Sequence, residues 1–189
     1  MPYLLNGFGL IVQVVFGAIA TLFLVRLLAE ATRADFHNPL SQFVYRYTNP
    51  ILAPVRRVLP NWRRINLAAV LILLIIFIVE SLVICLLSGF FPRWPGLLVI
   101  SLAGLLDYVL LFYIVLIIGW ALISMFAPDT YHPLYRLAGI IVDPLLRPLR
   151  RKLVVGNIDF SPTVVIIVLV LARRLIADPL LDFGISLLH

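Results

Sequence analysis

The stretch Asn49-Pro50-Ile51-Leu52-Ala53-Pro54-Val55-Arg56-Arg57 occurs twice in this chain, with small changes. It returns as Asp143-Pro144-Leu145-Leu146-Arg147-Pro148-Leu149-Arg150-Arg151, displaced by 94 positions (143 − 49). Both copies have a residue that can cap a helix, two prolines four residues apart and a final pair of arginines. Each lies in a basic segment between two long apolar runs. The repeat predicts two structural units, residues 1–94 and 95–189.

The composition points to one class of protein. The chain is 63% hydrophobic and 13% charged, with a mean hydropathy of +1.11, whereas soluble domains are about half apolar and about a quarter charged. An integral membrane protein is the class that fits. The net charge of +6 lies in segments that flank apolar runs, so it indicates membrane topology and predicts no direct contact with nucleic acid. The one cysteine, Cys85, excludes an intrachain disulfide.

Four apolar runs are long enough to approach the ~20 residues that cross a bilayer as a helix. The predicted spans are residues 3–29, 67–90, 97–126 and 163–188. Arg26 lies near the end of the first span, and its spacing of four residues from Glu30 favours an ion pair on one helical face. In the fourth span, Pro179 is expected to kink or end the helix.

The segments between the spans have the period of amphipathic helices. Leu40, Phe43, Val44 and Tyr47 recur on one face, and Asn49-Pro50 then resembles the start of a second short helix that Pro60 ends. The sequence predicts a pair of interfacial helices in each repeat, at residues 39–48 and 50–59 and at residues 133–142 and 144–152. A re-entrant hairpin is the alternative that the period leaves open.

Lysine and arginine fall on one side of the predicted membrane. The two repeat loops contain eleven of them, Arg33, Arg46, Arg56, Arg57, Arg63, Arg64, Arg136, Arg147, Arg150, Arg151 and Lys152, whereas the turn between the second and third spans contains Arg93. This excess places both loops in the cytoplasm and both termini outside. Arg56, Arg57, Arg150, Arg151 and Lys152 are predicted to face anionic lipid headgroups or a protein partner.

Polar residues interrupt the spans at similar depths, counted at 1.5 Å per residue. The sequence predicts a buried polar layer of Gln13, Glu80, Asp107, Arg173 and Arg174, with two acids balanced by two bases. The 94-residue displacement relates Gln13 to Asp107 and Glu80 to Arg174. Pairing is expected, because a lone charge at mid-membrane costs about 3 kcal/mol or more. The layer is either a clamp between the repeats or a hydrated path for ions or protons.

The sequence lacks the spacings that mark catalytic or metal sites. His37, His132 and His189 are scattered, and His37 and His132 sit where loop helices begin, so capping is favoured over haem or metal ligation. There is no phosphate-binding glycine loop and no nucleophile elbow. We expect a protein that is not an enzyme and has no cofactor.

The loop signatures resemble those of the YggT family of membrane proteins. The resemblance rests on Asp35-Phe36-His37-Asn38-Pro39-Leu40-Ser41-Gln42-Phe43-Val44, on the doubled proline–arginine stretch, and on Ile158-Asp159-Phe160-Ser161-Pro162. The sequence departs from the pattern at Asn66-Leu67-Ala68 and at Arg173-Arg174. The resemblance implies two tandem YggT repeats in a multi-pass protein of the bacterial inner membrane, without catalytic residues to carry over. It also implies links to osmotic-stress tolerance and, in chloroplast and cyanobacterial branches, to cytochrome assembly and nucleoid or division organisation.

The predicted fold class is all-α and integral to the membrane, with four transmembrane helices arranged as two parallel two-span repeats. Each repeat carries a cytoplasmic pair of short amphipathic helices. Two functions remain open. One is a membrane scaffold or assembly factor whose basic loops bind anionic lipid and another membrane protein or a second copy of the chain. The other is an ion-conducting or osmotic-response protein that uses the polar layer.

Overall fold

The structure, a computed structural model, describes residues 2–35, 37–59, 61–63, 65–126, 132–155 and 158–188. These ranges are almost wholly helical. The helices are α1 (Pro2–Ala31), α2 (Pro39–Arg56), α3 (Leu67–Leu87), α4 (Trp94–Phe126), α5 (Pro133–Leu153), α6 (Ser161–Ala172) and α7 (Asp178–Ser186), with a π-helical turn, Arg173–Ala177, between the last two. Two-residue strands β1 (Val154–Val155) and β2 (Ile158–Asp159) pair antiparallel and turn the chain from α5 into α6; this short ladder was not expected.

Three helices in the described ranges are long and apolar enough to cross a membrane: α1 over Gly7–Ala31, α3, and α4 over Trp94–Ser124. They support the prediction of a membrane protein. The third predicted span corresponds to α4, which begins earlier than predicted, at Trp94. The second corresponds to α3, which ends earlier than predicted, at Leu87. The early end has a local cause, because Gly89 has φ +87° and Phe90 N–H donates back to Cys85 O. Glycine adopts this left-handed conformation, which ends a helix, at little cost.

The fourth apolar segment stays helical through Pro179. Its proline ring has no N–H and clashes with the carbonyl of the residue four positions earlier, which normally breaks a helix. Here the backbone widens to a π turn, in which Asp178 N–H donates to Arg173 O, five residues back. Pro179 then lies in the first turn of α7, where proline is tolerated. The helix therefore does not end at Pro179 but continues past it through a π turn.

The predicted pair of short helices in each loop is wrong. α2 and α5 are single helices that contain Pro50 with Pro54 and Pro144 with Pro148. Because the prolines of each pair are four residues apart, their missing N–H groups lie on one side of the helix. A helix can bend away from such a side while its other hydrogen bonds remain. Pro60, expected to end the second of these short helices, lies outside the described residues.

Each repeat has its own core. In the first, Phe23 and Leu24 of α1 and Leu52 of α2 pack on α3 around Leu73. In the second, Ile117 of α4 and Leu146 of α5 pack with α6. The buried positions Val44, Thr48 and Leu52 of α2 correspond, at a displacement of 94 (146 − 52), to the buried positions Ala138, Val142 and Leu146 of α5. The loop helices therefore pack alike.

The end of the chain returns to the turn between α3 and α4. Arg93 N–H donates to Leu188 O at 3.3 Å. Gly96 lies so close to this end that a Cβ there would be 2.7 Å from backbone atoms of Leu187 and Leu188. The segment from α6 to α7 therefore runs from the loop side of the bundle to the opposite side.

Candidate functional site: charged clusters and a basic cavity

Asp107 on α4 and Arg173 at the start of the π turn form a two-pronged ion pair. Arg173 Nε donates to Asp107 Oδ1 at 2.6 Å and Arg173 Nη2 to Asp107 Oδ2 at 2.9 Å. This fork geometry is the strongest form of arginine–carboxylate pairing. Both groups belong to apolar segments, so the pair neutralises two charges where water is scarce.

The other members of the predicted layer do not join this pair. Arg174 is not buried, because 77% of its side chain is exposed, and it pairs with Asp178 at 3.0 Å. Gln13 is also exposed. Glu80 is partly exposed and has no ion pair among the described residues. The prediction of one buried layer with these five members is therefore corrected to a single interhelical pair, Asp107–Arg173.

The displacement of 94 residues that was used to align the two repeats explains why Arg174 was included in the predicted layer. Burial in the last segment follows a displacement of 93, since Ala68 and Ile72 match Ser161 and Val165 (161 − 68; 165 − 72). Glu80 then corresponds to Arg173 (173 − 80) rather than to Arg174. The displacement falls from 94 to 93 because the second repeat has one residue fewer than the first between its loop helix and its last span. A helix turns by about 100° per residue. One residue therefore moves a side chain from a packed face to an exposed one.

Glu30 at the end of α1 is the centre of a second cluster. Its carboxylate pairs with Arg26 at 2.7 Å, as the spacing predicted, and also accepts a short hydrogen bond from Arg56 of α2. Asn66 Nδ2 donates to the other oxygen at 2.8 Å, while Asn66 Oδ1 caps α3 by accepting from Ala69 N–H. One carboxylate thus ties together α1, α2 and the start of α3.

Arg26 is 1% exposed, which is rare for a charged side chain. Its guanidinium lies 3.2 Å from the ring centroid of Tyr45, a cation–π arrangement. Arg26 Nε and Nη1 and Arg56 Nε have no hydrogen-bond partner among the described residues. The cluster therefore depends on Glu30 for its charge balance. Sequence alone gave the Arg26–Glu30 spacing but no signal for Asn66 or Tyr45.

The second repeat builds a different cluster around Arg150 of α5. Its Nε donates to Asp159 Oδ2 at 3.1 Å and its Nη1 to Asp143 Oδ1 at 3.3 Å. Its guanidinium also lies 5.2 Å from the ring of Trp120. Burial raises the pKa of Asp159, but hydrogen bonds from Ser161 and Arg150 outweigh burial, so this pKa lies below its usual value.

Of the cations predicted to face lipid or a partner, namely Arg56, Arg57, Arg150, Arg151 and Lys152, the structure pairs two with carboxylates, and that role stays a prediction. Arg56 and Arg150, the first arginine of each pair, fold back onto carboxylates of their own repeat. Arg57 is exposed. The side chains of Arg151 and Lys152 lie outside the described residues.

A cavity of about 990 Å³ lies between α1, α4 and α5. Its walls differ in chemistry. The span side is aromatic and apolar, with Tyr113 and Trp120, and the α5 side carries arginines. The lining comprises Leu28, Ala31, Thr32, Tyr113, Trp120, Tyr135, Arg136, Gly139, Ile140, Asp143, Pro144, Arg147 and Arg150. Trp120 stacks on Tyr135 with centroids 5.7 Å apart and planes at 13°.

Metal ligation is not supported in the described part of the chain, where no group of three His, Cys, Asp or Glu residues is placed to hold an ion. His37 Nδ1 lies 3.0 Å from Asp35 Oδ1, and hydrogen bonds from His37 lower the pKa of Asp35. His132 Nδ1 accepts from Leu134 N–H at 3.3 Å at the start of α5, which is a capping contact. His189 lies outside the described residues.

Comparison with known proteins finds the same two-part organisation. The CCB3/YggT family model matches residues 5–87 and again residues 99–180. "Uncharacterized protein YggT" of Escherichia coli strain K12 is 35% identical over 170 residues, 87% of this chain and 86% of that protein. An uncharacterised protein of Pseudomonas aeruginosa is 33% identical over 176 residues, 83% of this chain and 81% of that protein. No solved structure matches. This chain belongs to the CCB3/YggT family and contains two tandem matches to the family model, as its doubled proline–arginine signature predicted.

Proposed function

We propose that this protein is a non-enzymatic scaffold of the bacterial inner membrane. It organises or assembles a membrane-associated complex through helices at the cytoplasmic leaflet. The observation that carries this proposal is the outer face of α2. Phe43, Tyr47 and Ile51 are 51%, 57% and 52% exposed and recur every four residues on one side of the helix. Arg46 of the same helix and Arg57, which follows its last residue, are also exposed.

We infer a fourth span from the length and position of the segment from α6 to α7. The helical run from Ser161 to Ser186 contains 26 residues (186 − 161 + 1), about 39 Å at 1.5 Å per residue, and its end lies beside the turn between α3 and α4. Because α3 and α4 are two crossings between them, α2 and α5 share a side of the membrane, and a fourth crossing returns the chain to the other side. The excess of lysine and arginine on that side favours the cytoplasm.

The interfacial position of α2 and α5 follows from their two-sided character. Leu52 and Leu146 are fully buried against the spans, while Arg57 and Arg147 are exposed. Such helices lie in the headgroup region with apolar side chains toward the acyl chains. Aromatic side chains are also enriched at the centres of protein interfaces, so the α2 stripe suits a protein partner at the membrane surface.

Ion conduction is the second candidate, and one observation favours it. Glu80 lies in an apolar helix and has no ion pair among the described residues. Against it, Asp107 is held in a two-pronged pair, which leaves no unpaired acid at that depth among the described residues of the second repeat. A cation flux in liposomes that Glu80→Gln abolishes would favour conduction instead.

Photo-crosslinking in native membranes tests the scaffold. A photoreactive residue at Phe43 or Tyr47 is expected to give one protein adduct of defined mass, which an added Arg57→Glu change abolishes. The matched control is Val44, on the same helix but 7% exposed, and it should give no such adduct. Adducts with lipid only, or the same adducts from the lipid-facing position Leu111, would contradict a scaffold role for α2. An adduct of twice the chain mass would identify a second copy as the partner.

A further inference from the structure

We infer that the cavity between α1, α4 and α5 binds the phosphate of an anionic phospholipid headgroup. The inference rests on the proposed placement of α5 at the cytoplasmic leaflet, and it assigns a ligand to a site distinct from the α2 stripe. Phosphate is recognised by arginine forks, and basic pockets between transmembrane helices on the cytoplasmic side are typical sites for lipid headgroups.

The charge of the cavity lining favours an anion. Three arginines and one carboxylate contribute to it, and the carboxylate, Asp143, already pairs with Arg150 at 3.3 Å. Arg136 has a distant contact, 3.9 Å from Asp35. Arg147 is exposed and has no ion pair among the described residues. Arg147 and Arg136 therefore have donors available at the rim, where a phosphate can bind.

The shape of the cavity favours an amphiphile. Its inner wall includes Tyr113, which lies 13 residues (126 − 113) before the end of α4, about 20 Å along the helix. Leu28 and Ile140 add apolar surface. A ligand with its phosphate at Arg147 would thus place its apolar part against the span, as a phospholipid does. A volume of about 990 Å³ lies at the upper end of the range for small-molecule sites.

The aromatic wall of the cavity is built differently from the matching place in the first repeat. At a displacement of 94 (139 − 45), Gly139 corresponds to Tyr45, and Trp120 to Arg26 (120 − 26). In the first repeat the Tyr45 ring lies over Arg26. In the second, the Trp120 side chain takes up the space beside Gly139, where a Cβ would be 3.1 Å from Trp120 Nε1.

The two rim arginines are also particular to the second repeat. Arg136 corresponds to Gln42 and Arg147 to Ala53 (136 − 42; 147 − 53). The matching face of α2 borders a smaller hollow of about 580 Å³, lined by Gln42, Tyr45, Arg46, Asn49, Pro50 and Ala53. The same helix face is thus concave in both repeats, but the second is larger and more basic.

Tryptophan fluorescence can test the site. In a Trp62→Phe/Trp94→Phe background, Trp120 is the remaining tryptophan and reports on the cavity. Purified protein in a neutral detergent is titrated with phosphatidylglycerol, with phosphatidylcholine and with inorganic phosphate. We expect a saturable change with phosphatidylglycerol and none with phosphatidylcholine. Saturation by inorganic phosphate at similar concentrations would assign the phosphate site to a soluble anion instead of a lipid.

Matched arginine variants separate the site from general surface charge. Arg147→Gln should weaken phosphatidylglycerol binding about tenfold or more, the loss expected for one charge-assisted hydrogen bond. Arg63→Gln removes an exposed arginine outside the cavity and should change binding less than about twofold. Equal effects of the two variants, or no saturable change with either anion, would overturn the inference. Both positions are exposed, so folding of the variants is expected, and unchanged elution of the purified proteins checks it.

Discussion

Glu30→Gln is expected to lower the free energy of unfolding by about 3–5 kcal/mol, the loss typical of a buried pair deprived of one partner. Glu30 balances Arg26, which is buried at 1% exposure, and Arg56. Without this carboxylate, two guanidinium groups remain close together with several donors unpaired. The measurement is unfolding in mixed detergent micelles with increasing dodecyl sulfate.

The control for this variant is Asp35→Asn, which neutralises an exposed acid nearby and should leave the unfolding midpoint near that of the parent. Adding Arg26→Met to Glu30→Gln should restore part of the lost stability, because an apolar side chain of similar length replaces the unpaired charge. If Glu30→Gln unfolds like Asp35→Asn, Glu30 does not hold α1, α2 and α3 together.

Asp107→Asn and Arg173→Gln are each expected to lower the free energy of unfolding by about 3 kcal/mol, because each leaves one charge alone in an apolar segment. The double variant should recover most of that loss, since neither charge remains. A double-mutant cycle measures the interaction free energy between the two side chains. The same micelle assay serves.

Glu80→Gln is the matched control for that cycle. Glu80 also lies in an apolar helix but has no ion pair among the described residues, so its neutralisation breaks no described pair and should cost little. Additive losses in the double variant would show that Asp107 and Arg173 are not coupled. A loss for Glu80→Gln as large as for Asp107→Asn would point to a partner for Glu80 that the described residues do not include.

The sequence predicted the repeat, the family and the three long apolar helices because these depend on local pattern and composition. It failed at the prolines of the loop helices. Asn49-Pro50 has the appearance of a cap followed by a first-turn proline, yet α2 continues through it. Four-residue spacing of prolines lets a helix bend without ending, and that outcome depends on packing of Leu52 against the spans rather than on local preference.

The direction of individual side chains could not be predicted from the sequence either, because it also depends on contacts between helices. Arg56 and Arg57 are adjacent, so they point about 100° apart on a helix, and the pattern does not say which one faces inward. The position of Glu30 decides it, because this acid on α1 attracts Arg56. Arg173 and Arg174 are likewise adjacent. Aligning the last segments of the two repeats at a displacement of 93 instead of 94 places Arg173, the residue that pairs with Asp107, on the packed face.

We propose that α2 and α5 lie together at the cytoplasmic face and that the chain crosses the membrane a fourth time after α5. Single-cysteine labelling tests it most directly. In a Cys85→Ser background, Arg57→Cys, Phe91→Cys and Ser186→Cys are treated with an impermeant thiol reagent in intact spheroplasts. We expect labelling of Phe91→Cys and Ser186→Cys from outside, and of Arg57→Cys only after the membrane is opened. Labelling of Ser186→Cys only together with Arg57→Cys would contradict the fourth span, and labelling of Arg57→Cys from outside would contradict the cytoplasmic position of α2.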